Sequence, residues 1–185
     1  MVLDNVNYWV KKHRTKLSAI LGIFFLVFAK PTIASLLAGV LLIILGEALR
    51  IWSSGYIHKN EVLSVTGPYS LTRNPLYVGS FLLGTGFVIT MNVPWVIVLF
   101  MLFFGGIYWF TIRWEEEKLQ RRFDHEWVEY SKAVPRFLPL KRMPKYIKGE
   151  FNLSQVIRNK EIYHALVVFS TYIILWGKAV LLGPN

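Results

Sequence analysis

Cysteine is absent from the 185 residues, which excludes thiolate zinc sites, iron–sulfur clusters, redox pairs and a cysteine nucleophile. Charge is scarce as well: Asp, Glu, Lys and Arg make up 17% of the chain, against about a quarter in an ordinary soluble domain. There is no fixed-period repeat, no low-complexity tract and no Gly-x-Gly-x-x-Gly fingerprint. Disorder, a collagen-like repeat and a disulfide scaffold are thereby excluded, and nothing supports a Rossmann-type dinucleotide site.

What is abundant is apolar: 54% of the residues are hydrophobic and 16% aromatic, and they arrive in long blocks. The 21 Lys and Arg exceed the 11 Asp and Glu, giving a formal net charge of +10. In so apolar a chain this excess points to an anionic membrane surface rather than to nucleic acid.

A bilayer-crossing helix needs about 20 mostly apolar residues. Leu17–Ala29 and Thr32–Trp52 read as a first helical hairpin turning at Lys30-Pro31. Pro75–Met91 and Pro94–Ile112 read as a second, turning at Asn92-Val93-Pro94, with proline in the first helical turn where its missing N–H does no harm. Ile162–Leu182 is a last span, with Lys178 close enough to its end to snorkel. The expected fold is an all-α polytopic bundle of about five transmembrane helices plus a cytoplasmic amphipathic helix. It forms one integral membrane domain over 1–185: a hairpin at 17–53, a core at 61–139, and a polar segment with the final helix at 140–185.

Positive charge collects on the cytoplasmic side of membrane proteins. Lys11, Lys12, Arg14 and Lys16 precede the first span, Arg50, Lys59 and Arg73 lie between the hairpins, and twelve Lys or Arg lie from Arg113 to Lys160, whereas the two hairpin turns carry only Lys30. The amino terminus and nearly all polar sequence are therefore expected in the cytoplasm. A basic stretch before a short apolar one also suits a signal peptide, but the apolar sequence resumes at once and no small-residue cleavage site stands out. Trp9, Trp52, Tyr56, Trp95 and Trp114 fall near span ends, as interface anchors do.

Two polar segments carry chemistry. In Glu61–Gly79, EVLSVTGPYSLTRNPLYVG, Gly67-Pro68 signals a turn and Asn74-Pro75 an N-cap with a first-turn proline. The helix amino terminus there, with Arg73 beside it, suits a carboxylate or phosphate. In Arg113–Pro139, RWEEEKLQRRFDHEWVEYSKAVPRFLP, helical spacing puts Ile112, Glu116, Leu119, Phe123, Trp127 and Tyr130 on one stripe, while Lys118, Arg121, Arg122, His125, Glu129 and Lys132 take the solvated face. A carboxylate on an apolar stripe needs a cation. Arg113, Arg73 and a ligand ammonium group all meet that need.

Together, GPYSLTRNPLYVG and EEEKLQRRFDHEWVEY…VPRFLP resemble the isoprenylcysteine carboxyl methyltransferase and phospholipid methyltransferase group of membrane enzymes. That group carries a Gly-x-Tyr…Arg-His-Pro-x-Tyr-x-Gly loop, then a Glu-Glu pair with Phe-Gly-x-x-Tyr-x-x-Tyr and a Pro-Arg-x-x-Pro-like ending. The likeness spans roughly 61–139. It implies S-adenosylmethionine as cofactor, held by Glu61, Val62, Leu63, Ser64, Tyr69, Asn74, Pro75, Leu76 and Tyr77, with Glu116 meeting the methionyl ammonium and Arg73 and the amides at 75–77 facing its carboxylate. Three positions depart: the family histidine is Asn74, the glycine after Phe123 is Asp124, and the tyrosine four beyond Phe123 is Trp127.

Methyl transfer from a sulfonium is an in-line displacement that gains from a dry, aligned site. A carboxylate acceptor is already ionised and needs only an arginine to hold it, for which Arg113 and Arg136 are the candidates. No base is evident for an amine or thiol, which favours carboxyl methylation of a lipidic or apolar acceptor entering from the bilayer. Phospholipid N-methylation, small-thiol S-methylation, an NADPH-dependent sterol-type reductase and a non-enzymatic membrane protein remain open. Glu161 and His164 form a single Glu-x-x-His, short of the ligands a carboxylate-bridged metal site needs; no metal is expected. His13, His58 and His125 read as solvated, and Lys141, Arg142, Lys145 and Lys148 as a lipid-headgroup contact.

Overall fold

The computed structural model describes residue 20 and residues 22–58, 62–137 and 149–182. Glu61, Trp9, His13, the basic cluster before the first span and that at 141–148 lie outside the described residues. Helices dominate, with no strand among the described residues. Residues 22–28 form α1, followed by α2 (Ile33–Ser54), a 3-10 turn (Gly67–Ser70), α3 (Pro75–Met91), α4 (Pro94–Phe103), a π-helical segment (Phe104–Tyr108), α5 (Trp109–Ala133), α6 (Leu153–Arg158) and α7 (Glu161–Leu182).

Among the described residues both hairpins form where expected, and α2 starts directly after the Lys30-Pro31 turn. Its N-cap is Thr32, whose hydroxyl accepts from the Ser35 amide while Ser35 Oγ accepts from the Thr32 amide, so Pro31 stays outside the helix. The second turn closes on Asn92 at φ 54, a left-handed conformation that asparagine tolerates. α4, the π segment and α5 run on as one helical stretch of 40 residues, Pro94–Ala133, interrupted by a kink at Asp124, so the span passes into the amphipathic helix with no loop between them. That helix, α2 and Glu161–Leu181 are long and apolar enough to cross a membrane, and α3 is a shorter apolar helix. Leu102, Val167 and Leu181 are among many large apolar side chains left open on their outer faces, which in a bilayer is lipid contact.

α2 and α3 pack backbone to backbone. A Cβ on Gly46 would stand 2.7 Å from the Gly79 carbonyl oxygen, and one on Gly86 2.8 Å from that of Gly39; small residues allow membrane helices this approach. Ser35 Oγ then donates to the Thr90 carbonyl across the gap at 3.0 Å. The apolar core at this end joins Leu36, Val88, Met91, Val96 and Leu175. Lys178 does not simply snorkel: its Nζ donates to the Leu26 and Val27 carbonyls at 2.9 and 2.8 Å, capping α1. A second cluster, Trp127, Tyr130 and Val134 with Leu63, Val65, Leu119 and Phe123, lies at the opposite end and walls the site.

Candidate functional site

The stripe expected along α5 forms. Ile112, Glu116, Trp127 and Tyr130 are buried, while Arg121, Arg122, His125, Glu129 and Lys132 are exposed. The helix breaks once, at Asp124, where φ is +35. Glycine occupies such backbone at little cost and other residues do so under strain, which gives the family glycine at this position its physical reason.

The α2–α3 loop folds against the buried side of α5 and is pinned by the chain leaving that helix. The Arg73 amide donates to the Pro135 carbonyl at 2.9 Å, Thr72 Oγ1 to the Arg136 carbonyl at 2.9 Å, and Tyr130 Oη to the Tyr69 carbonyl at 2.7 Å. Gly67 turns the loop at φ +59 beneath the Tyr56 ring. Asn74 stands at the start of α3, yet its side chain makes no cap. Its Nδ2 donates to Glu116 Oε1 at 3.1 Å and to the Arg136 carbonyl at 3.2 Å.

Glu116 thus has its cation in Arg136, whose Nε donates to Oε1 and Oε2 at 3.2 and 3.1 Å and whose Nη2 donates to Oε2 at 2.5 Å. Arg73 Nη1 stands 3.7 Å from Oε1. Arg113, expected as a partner one turn away, is exposed instead. Arg136 also lies over the Trp109 ring at 5.6 Å, so neither arginine expected to hold an acceptor carboxylate opens into the cavity. The ligand ammonium is not needed to explain Glu116, since protein groups already match it.

The loop and α5 enclose a cavity of about 400 Å³, within the range of small-molecule sites. Val62, Leu63, Ser64, Tyr69, Arg73, Asn74, Pro75, Leu76, Tyr77 and Glu116 all line it: every cofactor residue expected from the sequence that the structure describes. Of the amides expected to face it, Pro75 has none and that of Tyr77 donates to the Asn74 carbonyl at 3.0 Å. Sequence reasoning missed the opposite wall: Trp114, Glu115, Lys118, Arg122 and Trp127. Glu115, Lys118 and Arg122 share the i, i+3, i+7 spacing of one helix face, which was the available signal. His58, expected in solvent, also lines the cavity, with Nδ1 3.2 Å from Gln155 Nε2.

Arg73 carries an unmet demand. Its Nε is buried without a hydrogen-bond partner, the one such nitrogen among the described residues, and its guanidinium lies 5.8 Å from the Trp127 ring centre. Tyr69 is held neutral: burial first, then the neighbouring Tyr130 and Glu115, raise its hydroxyl well above the usual tyrosine value near 10. It is therefore no base at neutral pH.

A family model described as phospholipid methyltransferase matches residues 34–126, just over half of the chain. Among curated proteins, a cobalt-zinc-cadmium resistance protein, CzcN, of Cupriavidus metallidurans is 39% identical over 105 residues, covering 55% of this chain and 47% of that protein. A nickel-cobalt-cadmium resistance protein, NccN, of Alcaligenes xylosoxydans xylosoxydans is 36% identical over 110 residues, 57% of this chain and 50% of its own. The protein-S-isoprenylcysteine O-methyltransferase of Saccharomyces cerevisiae is 30% identical over 113 residues, 55% and 47% respectively. The chain spans about half the length of these relatives. No solved structure matches it significantly.

Proposed function

The chain belongs to the phospholipid methyltransferase family, and on that premise we propose that it is an S-adenosylmethionine-dependent membrane methyltransferase acting on a lipidic or apolar acceptor, its site on the cytoplasmic face. The observation that carries the proposal is Arg73: a buried guanidinium nitrogen with no partner, on the wall of a cavity lined by every described residue that the family resemblance assigns to the cofactor. A guanidinium fork fits a carboxylate such as the methionyl one. Glu115 on the facing wall suits an ammonium group, and Trp114, Trp127 and Tyr69 offer flat apolar surface to a purine.

Bound there, S-adenosylmethionine supplies an electrophilic methyl group on a sulfonium. The protein's part is alignment and exclusion of water. Asn74 and Arg136 fix the Glu116 carboxylate, Glu116 in turn faces Arg73, and the buried loop from Gly67 to Asn74 closes the cavity on one side. Tyr69 stays protonated and takes no proton from the acceptor, which agrees with an acceptor already ionised, such as a prenylcysteine carboxylate, related to that in the name of the yeast relative.

Calorimetric titration of the detergent-solubilised protein with S-adenosylmethionine, and in parallel with NADPH, tests this. Saturable binding of S-adenosylmethionine alone is expected, weakened at least tenfold by Arg73→Lys, which keeps the charge and loses the fork. Binding of NADPH alone, or of neither, overturns it. Transfer of labelled methyl to a farnesylcysteine analogue against phosphatidylethanolamine vesicles then separates the acceptor classes.

A further inference from the structure

A second polar cluster lies outside the cavity, where α2, α3 and α7 meet. Glu47 of α2 faces His164 of α7, with Oε2 3.1 Å from Nδ1. Glu161 of α7 faces the same ring nitrogen at 3.7 Å. Arg50 donates to Glu161 Oε1 through Nε, at 2.7 Å, and to Ser80 Oγ on α3 through Nη1, at 2.5 Å. The side chains of Glu47 and Glu161 are 12% and 7% exposed, and that of His164 is 39% exposed. Ionisable groups at such positions in membrane helices are costly unless they serve a purpose. Glu-x-x-His was visible in the sequence as a pair short of ligands; the fold adds Glu47, 117 positions from His164.

We infer that Glu47, Glu161 and His164 form a binding site for one divalent transition-metal ion, of which Zn2+ is the best fit. Zinc accepts both imidazole nitrogen and carboxylate oxygen, and the three donor atoms lie within 4.8 Å of one another. Ligands about 2.0–2.2 Å from a tetrahedral zinc stand roughly 3.4 Å apart, and the two separations from His164 Nδ1, 3.1 and 3.7 Å, bracket that edge. The outer contacts that orient metal ligands are in place: Arg50 fixes Glu161, and Ser80 fixes Arg50. Two carboxylates against one guanidinium leave a negative charge that a cation neutralises. The half-exposed imidazole gives the ion a way in and a fourth, open position. Bound there, the ion clasps the start of α7 to the α2–α3 hairpin.

The test uses the full chain in detergent without a polyhistidine tag, stripped with chelator and titrated with Zn2+ by calorimetry, with metal content measured in parallel. One ion per chain is expected, with affinity at least tenfold lower in Glu47→Gln and His164→Gln and unchanged in Glu126→Gln on the exposed face of α5. Zn2+ should also raise the Tm of the wild type, since a ligand of the folded state stabilises it. Should Glu47→Gln not fold, the more exposed His164→Gln and the four-coordinate absorption spectrum of Co2+ in the wild type decide. No saturable binding, or equal binding by wild type and His164→Gln, overturns the inference. Because the readout is the metal alone, this result stands apart from the methyltransferase test.

Discussion

Asn74 Nδ2 donates to Glu116 Oε1 at 3.1 Å, joining the loop before α3 to the middle of the apolar stripe of α5. Forty-two positions separate the two residues, and the contact shows why a hydrogen-bonding side chain is retained where the family has histidine. An amide donor does for the carboxylate what a ring N–H does.

Replacing that donor tests the bond. Asn74→Ala leaves a buried carboxylate one partner short, a loss of about 1–3 kcal/mol, read as a lowered Tm in detergent. Asn74→His restores a donor and is expected to hold the wild-type Tm to within a few degrees. Equal losses in both variants would mean that the geometry at 74, and not the hydrogen bond, matters.

The Arg136–Glu116 pair should show energetic coupling. Arg136 is one-third exposed on its side chain, so solvent screens part of the interaction. A double-mutant cycle of Glu116→Gln and Arg136→Met is expected to give about 1–2 kcal/mol of coupling. Glu116→Gln is also expected to lower S-adenosylmethionine affinity at least tenfold with folding intact; unchanged binding would remove Glu116 from the proposed site.

Asp124 offers a stabilising change. At φ +35 an aspartate is strained where glycine is not, so Asp124→Gly should raise stability by about 1 kcal/mol despite the greater freedom glycine gives the unfolded chain. A lower Tm in the variant would show that the Asp124 side chain contributes more than its backbone loses.

Tyr69 predicts a pH dependence. In the folded protein its hydroxyl stays protonated well above the usual value near 10, while the unfolded chain ionises near it. The stability it contributes is full below pH ~10 and is lost as pH rises beyond that, towards the folded value. Tyr69→Phe should flatten this alkaline fall in the Tm profile and leave the neutral region alone. A profile identical to wild type above pH ~10 counts against the buried phenol.

How much was legible beforehand can be read from the residues. The Pro75–Met91 helix, the Asn92 turn and the α5 stripe follow from periodicity and turn chemistry, which act over a few residues. The residues expected to hold the cofactor, from Val62 to Tyr77 with Glu116, were carried by the linked motifs, and the fold gathers them on one cavity. Arg136 as the partner of Glu116 had no local signal, because the pairing depends on the chain turning back after α5 to meet Arg73 and Thr72. The Glu47 contact to His164 was hidden for the same reason.

The sequence by itself determined that the chain is a membrane helix bundle, where four of its helices begin or end, and which face of α5 is buried. Local hydropathy, proline and helical spacing set these before any long-range contact exists. Only the tertiary structure decided which cation answers Glu116, that Arg73 is left with an unmatched nitrogen, and that Glu47 joins Glu161 and His164. Those outcomes depend on side chains from distant segments arriving within about 4 Å of one another, where Coulomb and hydrogen-bond energies become large, and nothing in the local pattern specifies which segments meet.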